Sequence, residues 1–319
     1  MNEALSTLAR WSRFTPELGV DEMRARIRQI TSGVDRDLAI KLETVVHGLL
    51  ELKRSRAAQA EAEAAAGRLR ALLRERNNAR AVQSRITRLA NRVDDPRIEI
   101  AAEWKPCAGV SGDWWAAYPL GDGRVILVLG DAIGHGTGAG LLAAITRGAC
   151  DLIMRRVAPA QIRASVVLSE LNAALRDAGS THADMTCAVA VFDPGRGSLS
   201  VASAGHPLPL WLPAITGGEL RSLGSIGPGL GAEHGARYAE TDVEIAPGDL
   251  LLIFSDGLLD GEQRRSSFGV RQLRQVLEPL RGGEPREVSD ELWLRRKAAR
   301  GSARQSDDIT YVVARLWPS

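Results

Sequence analysis

The segment from Arg124 to Gly140 constrains the fold of this chain more than any other. It opens with a continuous apolar run, Val125 to Leu129, which is typical of a strand covered on both faces. Asp131 stands where the run stops, and alternate glycines from Gly134 to Gly140 then allow sharp turns or close approach to a ligand. Apolar residues with helical spacing follow. An acid between a buried strand and a helix N-terminus is well placed to hold a cation that binds phosphate.

Three further places in the chain put an acid at the end of an apolar, strand-like run. Asp113 precedes such a run, Asp256 follows one, and Asp307 and Asp308 stand together before the last. Each of these acids taken alone is more typical of a turn or a cap than of a ligand. Four such places, counting Asp131, favour convergence on one site, and oxygen ligands alone select hard cations such as Mg²⁺ or Mn²⁺.

Composition excludes several classes of protein. With 45% hydrophobic residues the chain can form a large core, and a net charge of +2 predicts no nucleic-acid surface. Cys107, Cys150 and Cys187 are an odd number and far apart, so we expect buried free thiols, not disulfides or a zinc site. No apolar run approaches membrane-spanning length, and the N-terminus lacks the apolar core of a signal peptide. We therefore expect a cytoplasmic protein with no membrane segment.

Residues 1 to about 95 are predicted to be helical. Two short helices precede Gly33, and a long helix starts near Asp35. The sequence Asp94-Asp95-Pro96 ends it, because a proline disfavours helix in the residue before it. Strands are predicted only beyond this point.

The long helix has an interrupted heptad pattern. Apolar residues from Leu38 to Leu52 are close to heptad spacing, slip by one residue in the alanine-rich stretch 58–72, and return between Val82 and Val93. Two interpretations remain open, a dimerising or signal-relaying coiled coil and one arm of a monomeric helical bundle. The coiled coil is favoured, because an alanine-rich helix buries little area without a partner.

The rest of the chain alternates strands with pairs of helices. The predicted strands are 98–104, 114–120, 125–131, 185–193, 199–204, 208–212, 238–245, 250–255 and 309–317. The predicted helices are 138–157, 159–178, 269–277 and 286–300. Antiparallel hairpins separated by helix pairs predict sheets packed together and covered by helices. Within these elements Trp114 and Trp115 should lie on opposite faces of their strand, and the pairs Arg155-Arg156 and Arg295-Arg296 should be solvated.

Five short motifs occur in an order that resembles a known family. They are VSGDWW, LGDAIGHGTGAG, SAGHP, FSDGLLD and SDDITYVV. The chain from about Val82 to Trp317 resembles the SpoIIE/RsbU-like branch of the PPM (type 2C) metal-dependent protein phosphatases. The resemblance implies an α+β fold, a β-sandwich flanked by helices in the order α-β-β-α. It assigns residues 81–319 to the phosphatase domain and leaves 1–80 as a helical regulatory or dimerisation segment with a coiled-coil linker.

The resemblance also implies a site for two metal ions, Mn²⁺ or Mg²⁺. By motif, the catalytic and metal-binding residues are Asp113, Asp131, Asp256 and Asp307, with the backbone carbonyl of Ala132 as a further ligand. Asp131 is the acid that bridges both ions, and Asp308 is expected to orient its loop. No separate cofactor-binding residue is implied.

The chain departs from some relatives at two positions. Ala116 stands where many relatives have a second acid, although the SpoIIE-type variant lacks it too. Ile133 stands where animal enzymes have a proposed acid histidine. His135 is not at that position, so the role is not transferred to it. His206, in the SAGHP motif, is expected to make a structural hydrogen bond.

The function implied by the resemblance is that of a protein serine/threonine phosphatase. A water activated by two metal ions would attack phosphorus directly, so no cysteine or serine nucleophile is required. The implied substrate is a phosphorylated STAS-domain anti-sigma-factor antagonist in a partner-switching pathway. The N-terminal helices would form a homodimer and receive an upstream activator.

Two other classes of function were weighed against this one. The first is a catalytically inactive pseudophosphatase scaffold that binds a STAS-domain partner. Such a scaffold would lack at least one of the metal-binding aspartates, and all four are present. The second is a nucleotide-binding protein that uses the glycine loop, but the chain lacks the Gly-Lys-Ser/Thr element which such a loop requires.

Overall fold

The structure is a computed structural model that describes residues 25, 29, 36–88, 93–107, 109–134, 136–259 and 268–319. The chain divides into two compact units between Arg74 and Glu75. The helices predicted before Gly33 lie almost entirely outside the described residues. The long helix, α1, spans Arg36–Arg88 and starts where the sequence predicted. Among the described residues, none of the helices combines the length and the apolar character needed to cross a bilayer.

Most predicted strands and helices are found within one to three residues of their predicted bounds. The strands are β1 (Ile98–Lys105), β2 (Asp113–Pro119), β3 (Val125–Ala132), β4 (Met185–Asp193), β5 (Ser198–Ala204), β6 (Leu210–Leu212), β7 (Arg221–Ser222), β8 (Ile226–Gly227), β9 (Thr241–Glu244), β10 (Asp249–Phe254) and β11 (Ile309–Leu316). The further α-helices are α2 (Thr137–Arg156), α3 (Ala164–Asp177), α4 (Val270–Leu277) and α5 (Pro285–Arg300). The two-residue strands β7 and β8 were not predicted.

The helix predicted for 159–178 starts later than expected. Pro159–Gln161 form a 3-10 turn, Arg163 is extended, and α3 begins at Ala164. The side chain of Arg124 donates hydrogen bonds to the carbonyls of Pro159 and Ile162, at 2.5 and 3.0 Å. Because these carbonyls are satisfied by a side chain, the chain need not continue directly from the turn into the helix.

Within the described residues the strands form two sheets. One has five strands in the order β1-β11-β10-β6-β7, and the other has six, in the order β2-β3-β4-β5-β8 with β9 paired to β5. The neighbours β2-β3, β3-β4, β10-β11 and β1-β11 are antiparallel. The acid-bearing ends of β2 and β3 belong to the six-stranded sheet, and those of β10 and β11 to the five-stranded sheet.

Three apolar clusters show how the layers pack. The central cluster joins residues of both sheets, such as Leu127 of β3 and Val312 of β11. A second cluster lies between the six-stranded sheet and α2 and α3, and a third lies between the five-stranded sheet and α4 and α5. The alternation along β3 explains this, since Val125, Leu127 and Leu129 face the other sheet while Ile126 and Val128 face the helices. The predicted α-β-β-α sandwich is confirmed.

The two tryptophans of β2 divide between the two faces as predicted. Trp114 is fully buried on the helix side, and Trp115 packs against the cluster between the sheets. Cys150 and Cys187 are buried free thiols, as expected, whereas Cys107 is half-buried. The positions of the two tryptophans follow from strand alternation and need no ligand to explain them.

One prediction about charged residues is wrong. Arg155, Arg156 and Arg295 are exposed, but Arg296 is only 4% exposed, and its Nη2 atom lies 3.4 Å from the Gly257 carbonyl, to which it donates. The reason is helical spacing, because Arg296 follows the buried Leu292 by one turn and so faces the sheet.

Candidate active site

The first two acids face each other on neighbouring strands. Asp113 begins β2 and Asp131 stands near the end of β3, and the antiparallel register pairs them directly. Asp113 is fully buried, and Asp131 is partly buried. Directly opposed residues in such a pair have side chains within about 5.5 Å at Cβ, so these two carboxyl groups share one space.

The other two acids flank the end of a strand pair in the second sheet. Phe254 is paired with Tyr311 at the end of β10 and β11. Asp256 comes two residues after Phe254, and Asp307 comes two residues before Ile309, where β11 begins. Both acids are therefore at the same end of the five-stranded sheet, and both are exposed.

Ser255 connects the two sheets at this point. Its hydroxyl donates to Asp113 Oδ2 at 2.8 Å and accepts from the Thr310 N–H at 3.0 Å. Ser255 itself is fully buried, between Phe254 and Asp256 in sequence. The strand end that carries Asp256 is thus fastened to the carboxylate of Asp113.

A glycine allows the two exposed acids to approach each other. A Cβ atom on Gly257 would lie 1.8 Å from the carbonyl oxygen of Asp308 and 3.4 Å from the Cβ of Asp307. Any other residue would force the turn after Asp256 away from the segment before β11. The glycine of the FSDG motif is therefore explained by backbone packing.

Asp308 holds the loop that leads to Asp113. It is 4% exposed, its Oδ1 accepts from the Cys107 N–H at 2.6 Å, and its Oδ2 accepts from the Gly112 N–H at 2.7 Å. Both carboxylate oxygens are occupied by backbone donors, while Asp307 beside it is exposed. This arrangement supports the expectation that Asp308 orients the loop and that Asp307 is the ligand.

Electrostatics indicates that the four acids lie close together. Burial is the largest cause that raises the pKa of Asp113 and of Asp131 above the usual carboxyl range. The charges of Asp113, Asp256 and Asp307 raise the pKa of Asp131 further. Because such repulsion weakens with distance, Asp113, Asp256 and Asp307 all lie near enough to Asp131 for their charges to act on it. We call Asp113, Asp131, Asp256 and Asp307 the carboxylate cluster.

The carboxylate cluster has donors that fit a divalent cation. Among the described residues no three Asp, Glu, His or Cys side chains already form a group able to hold a metal ion, and carboxylates without a counter-ion repel one another. However, Asp113 Oδ1 is buried with no hydrogen-bond partner in the described part of the chain. The Ala132 carbonyl oxygen lies against the residue before Asp113, 3.0 Å from where a Cβ on Gly112 would be. Such oxygen donors suit Mg²⁺ or Mn²⁺.

The glycine loop turns where the sequence predicted. Gly134 and Gly136 have φ of 93° and 87°, in the region that favours glycine, and α2 begins at Thr137. Gly140, in the first turn of α2, packs so tightly that a Cβ there would lie 2.1 Å from Val110 Cγ1. His135 lies outside the described residues.

Sequence reasoning missed one residue that touches this site. Gln83, near the end of α1, is 5% exposed. Its side chain donates to the Ser111 carbonyl at 2.5 Å and accepts from the Ser111 N–H at 2.9 Å. Ser111 precedes Asp113 by two residues, so α1 is attached to the loop of the first acid. The sequence carries no signal for this contact, because a polar residue on a charged helix is ordinary.

His206 makes the structural hydrogen bond that its motif led us to expect. Its Nδ1 lies 2.8 Å from Thr186 Oγ1, and the residue is fully buried. Burial lowers its pKa to about 3, so the ring is neutral at ordinary pH. A buried neutral ring away from solvent is not available as an acid for a substrate.

Comparison with known proteins gives a consistent family. The family model of stage II sporulation protein E (SpoIIE) matches residues 121–317. Among solved structures, the fold is similar to the PP2C domain of SiaA from Pseudomonas aeruginosa, with a TM-score of 0.67 and 23% identity over 78% of this chain and 98% of that one. It is also similar to RsbX in complex with magnesium, with a TM-score of 0.53 and 18% identity over 70% of this chain and 98% of that one.

A curated relative extends the comparison. The protein IcfG of Synechocystis is 28% identical over 203 residues, which are 56% of this chain. The matched region is 32% of the length of IcfG, so the chain corresponds to about a third of that relative.

Proposed function

The chain belongs to the SpoIIE family, as its motifs led us to expect, and on that premise we propose that it is a metal-dependent phosphatase acting on phosphoserine or phosphothreonine in proteins. The fold is shared with PP2C-type phosphatases. The observation that carries the proposal is the carboxylate cluster, in which the charges of Asp113, Asp256 and Asp307 all act on Asp131. Burial and mutual repulsion destabilise the ionised forms of these acids, and such an arrangement is expected where a cation binds.

The residues that would hold two ions are those of the carboxylate cluster and the Ala132 carbonyl. Mn²⁺ or Mg²⁺ is the chemical choice, because every donor is oxygen. When bound, such ions supply positive charge for a phosphate and acidity that makes water a nucleophile near neutral pH. Ser255 and Asp308 orient Asp113 through the hydrogen bonds described above, Ser255 directly and Asp308 through Gly112.

Among the described residues, Ser255 and the three cysteines do not offer a competing side-chain nucleophile. Ser255 is fully buried, and its hydroxyl is committed to Asp113. Burial raises the pKa of all three cysteines, Cys107, Cys150 and Cys187, so each stays a thiol at neutral pH. These features favour direct attack by water over a covalent enzyme intermediate.

The proposed substrate is a STAS-domain protein phosphorylated on serine or threonine. This follows from the branch of the family that the five motifs resemble, in which partner switching is the pathway. The test is release of phosphate from such a protein in Mn²⁺, with EDTA and the Asp131→Asn variant as controls. We expect release by wild type in Mn²⁺ alone. Binding of the STAS protein without release of phosphate would favour the pseudophosphatase scaffold instead.

We also propose that residues 1–80 regulate the phosphatase and dimerise it. Exposed leucines on α1 support a partner helix, since Leu69 and Leu72 are 57% and 63% exposed. The contact of Gln83 with Ser111 supports a route from α1 to the Asp113 loop. Light scattering of the full-length protein should show a dimer, and Leu69→Glu with Leu72→Glu should give a monomer. A monomeric wild-type protein that binds no activator would contradict the proposal.

A further inference from the structure

The SAGHP motif crosses between the two sheets. It begins with the last two residues of β5, which belongs to the six-stranded sheet, and ends before β6, which belongs to the five-stranded sheet. Ser203 fixes the backbone of this crossover, because its Oγ donates to the His206 carbonyl at 2.8 Å and accepts from the His206 N–H at 3.1 Å. Gly205 has a φ of 66°, which glycine adopts without strain. The imidazole of His206 is held rigidly at the point where the chain changes sheets.

On one side the ring contacts the strand next to Asp131. Its Nδ1 lies 2.8 Å from Thr186 Oγ1, and Thr186 is the register partner of Asp131 in the β3–β4 pair. The Thr186 hydroxyl is also 3.5 Å from the Asp131 carbonyl. The one hydroxyl proton goes to the shorter contact with Nδ1, so Thr186 connects the imidazole to Asp131 through the β3–β4 register.

On the other side the ring meets the strand that leads to Asp256. The backbone of Phe254, two residues before that acid, acts on the ring and opposes the lowering of its pKa, although Nε2 has no regular hydrogen bond among the described residues. A proton on Nε2 would let the ring donate toward the Phe254 carbonyl while Nδ1 accepts from Thr186. The neutral state fits this arrangement, because a neutral imidazole has one donor and one acceptor.

We propose that His206 is a positioning residue for the carboxylate cluster, which links the Asp131 strand through Thr186 to the strand end that carries Asp256. The inference rests on the proposed function, since the spacing of the two strand ends matters when both contribute ligands to the same ions. His206 touches neither substrate nor ion in this role. It sets the distance between the strand ends that carry Asp131 and Asp256, as residues that support metal ligands from behind do in other metal sites.

The test removes the Thr186 hydroxyl and leaves the imidazole in place. Thr186→Val keeps the shape and branching of the side chain, and Thr186→Ser keeps the hydroxyl. Mn²⁺ affinity is measured on the full chain by the rise in melting temperature as Mn²⁺ is added, which requires no substrate. We expect the half-saturating Mn²⁺ concentration to rise about tenfold in Thr186→Val, at the low end for outer-shell substitutions. Thr186→Ser should restore it.

A matched control separates positioning from general loss of stability. Thr146, buried on α2, donates its hydroxyl to its own helix at the Leu142 carbonyl, 2.8 Å away. Thr146→Val should lower the melting temperature without changing the Mn²⁺ half-saturation. Equal half-saturation in wild type and Thr186→Val would overturn the inference alone. A wild-type protein that does not respond to Mn²⁺ would overturn the proposed function and this inference with it.

Discussion

The two halves of the carboxylate cluster differ in how they are held. Asp113 and Asp131 are opposite each other on paired strands, and Asp113 is fully buried. Asp256 and Asp307 are exposed, and they lie just after β10 and just before β11. The first half is fixed by strand register, and the second by a glycine contact and by the bonds of Ser255 and Asp308. One half is rigid and poorly solvated, and the other is open to solvent and to substrate.

This difference assigns separate tasks to the two halves. Burial opposes the ionised forms of Asp113 and Asp131, so their charges are unfavourable until a cation compensates for them. The exposed acids remain hydrated, so they can be ionised and bind an ion at a smaller cost in free energy. We therefore expect the buried half, Asp113 and Asp131, to contribute most to metal affinity. The exposed half, Asp256 and Asp307, should adapt the site to a bound phosphate group.

The largest effect should come from Asp131→Asn. This residue is in the rigid half and is the acid on which the other three charges act. We expect turnover to fall roughly a hundredfold or more, comparable with losing one preorganised charge-stabilising group from an active site. The protein should stay folded, because the change removes a buried charge. Phosphate release and circular dichroism measure the two outcomes, and near wild-type turnover in excess Mn²⁺ would contradict the assignment.

Asp307→Asn should act mainly on activity, whereas Asp308→Asn should act mainly on stability. Asp307→Asn should lower turnover, as Asp256→Asn should, with little change in unfolding free energy. In Asp308→Asn an amide NH₂ would face a backbone N–H of Cys107 or Gly112, which costs about 1–3 kcal/mol of stability. Its turnover should fall less than that of Asp307→Asn. Urea unfolding and phosphate release together test this, and the reverse order of turnover would make Asp308 the ligand.

A smaller effect should appear in the pH dependence of the metal-free protein. The folded pKa values of Asp113 and Asp131 are raised above the unfolded value. An acid shifted in this direction contributes stability that is present below the unfolded pKa and is lost as pH rises through the folded pKa. The melting temperature in EDTA should therefore fall by roughly 5 °C between about pH 7 and pH 9.

Asp131→Asn serves as the control for that pH effect. His206 does not interfere in this range, because its pKa is lowered and its contribution is lost only as pH falls below the ordinary histidine value of about 6.5. The fall in melting temperature should be much reduced in Asp131→Asn. An equal fall in both proteins would show that other groups cause it and that the rigid half is not strained by charge.

The sequence was most informative about the rigid half. The apolar run of β3 and its acid, the hairpin with β2 and the sides taken by Trp114 and Trp115 all follow from alternation and a glycine turn. Asp256 and Asp307 were singled out as acids at the ends of apolar runs, and only the order of the motifs assigned them as ligands, since single acids beside turns are common. The short strands β7 and β8 have two residues each and no measurable periodicity, so no pattern could have predicted them.

Other features depend on contacts between residues far apart in sequence. The bonds of Gln83 to Ser111 join residues 28 positions apart, and a polar residue on a charged helix carries no sign of such a partner. Arg296 follows Leu292 by one turn, which was a usable signal, but the neighbouring Arg295 made the pair resemble a solvated surface. Asp308 was expected to orient its loop, although its two backbone partners could not be named from sequence.

Cation binding at the carboxylate cluster is the central claim, and tryptophan emission reports on it directly. The Trp114 indole lies beside Gly130, the residue before Asp131, so closely that a Cβ there would be 2.6 Å from Nε1. Mn²⁺ is paramagnetic and quenches nearby indoles. Titrating Mn²⁺ into metal-free protein should lower emission saturably, with a weaker response in Asp113→Asn and in Asp131→Asn, and a Trp114→Phe variant identifies the reporter. A saturable response unchanged in both Asn variants would place the metal elsewhere and contradict the account.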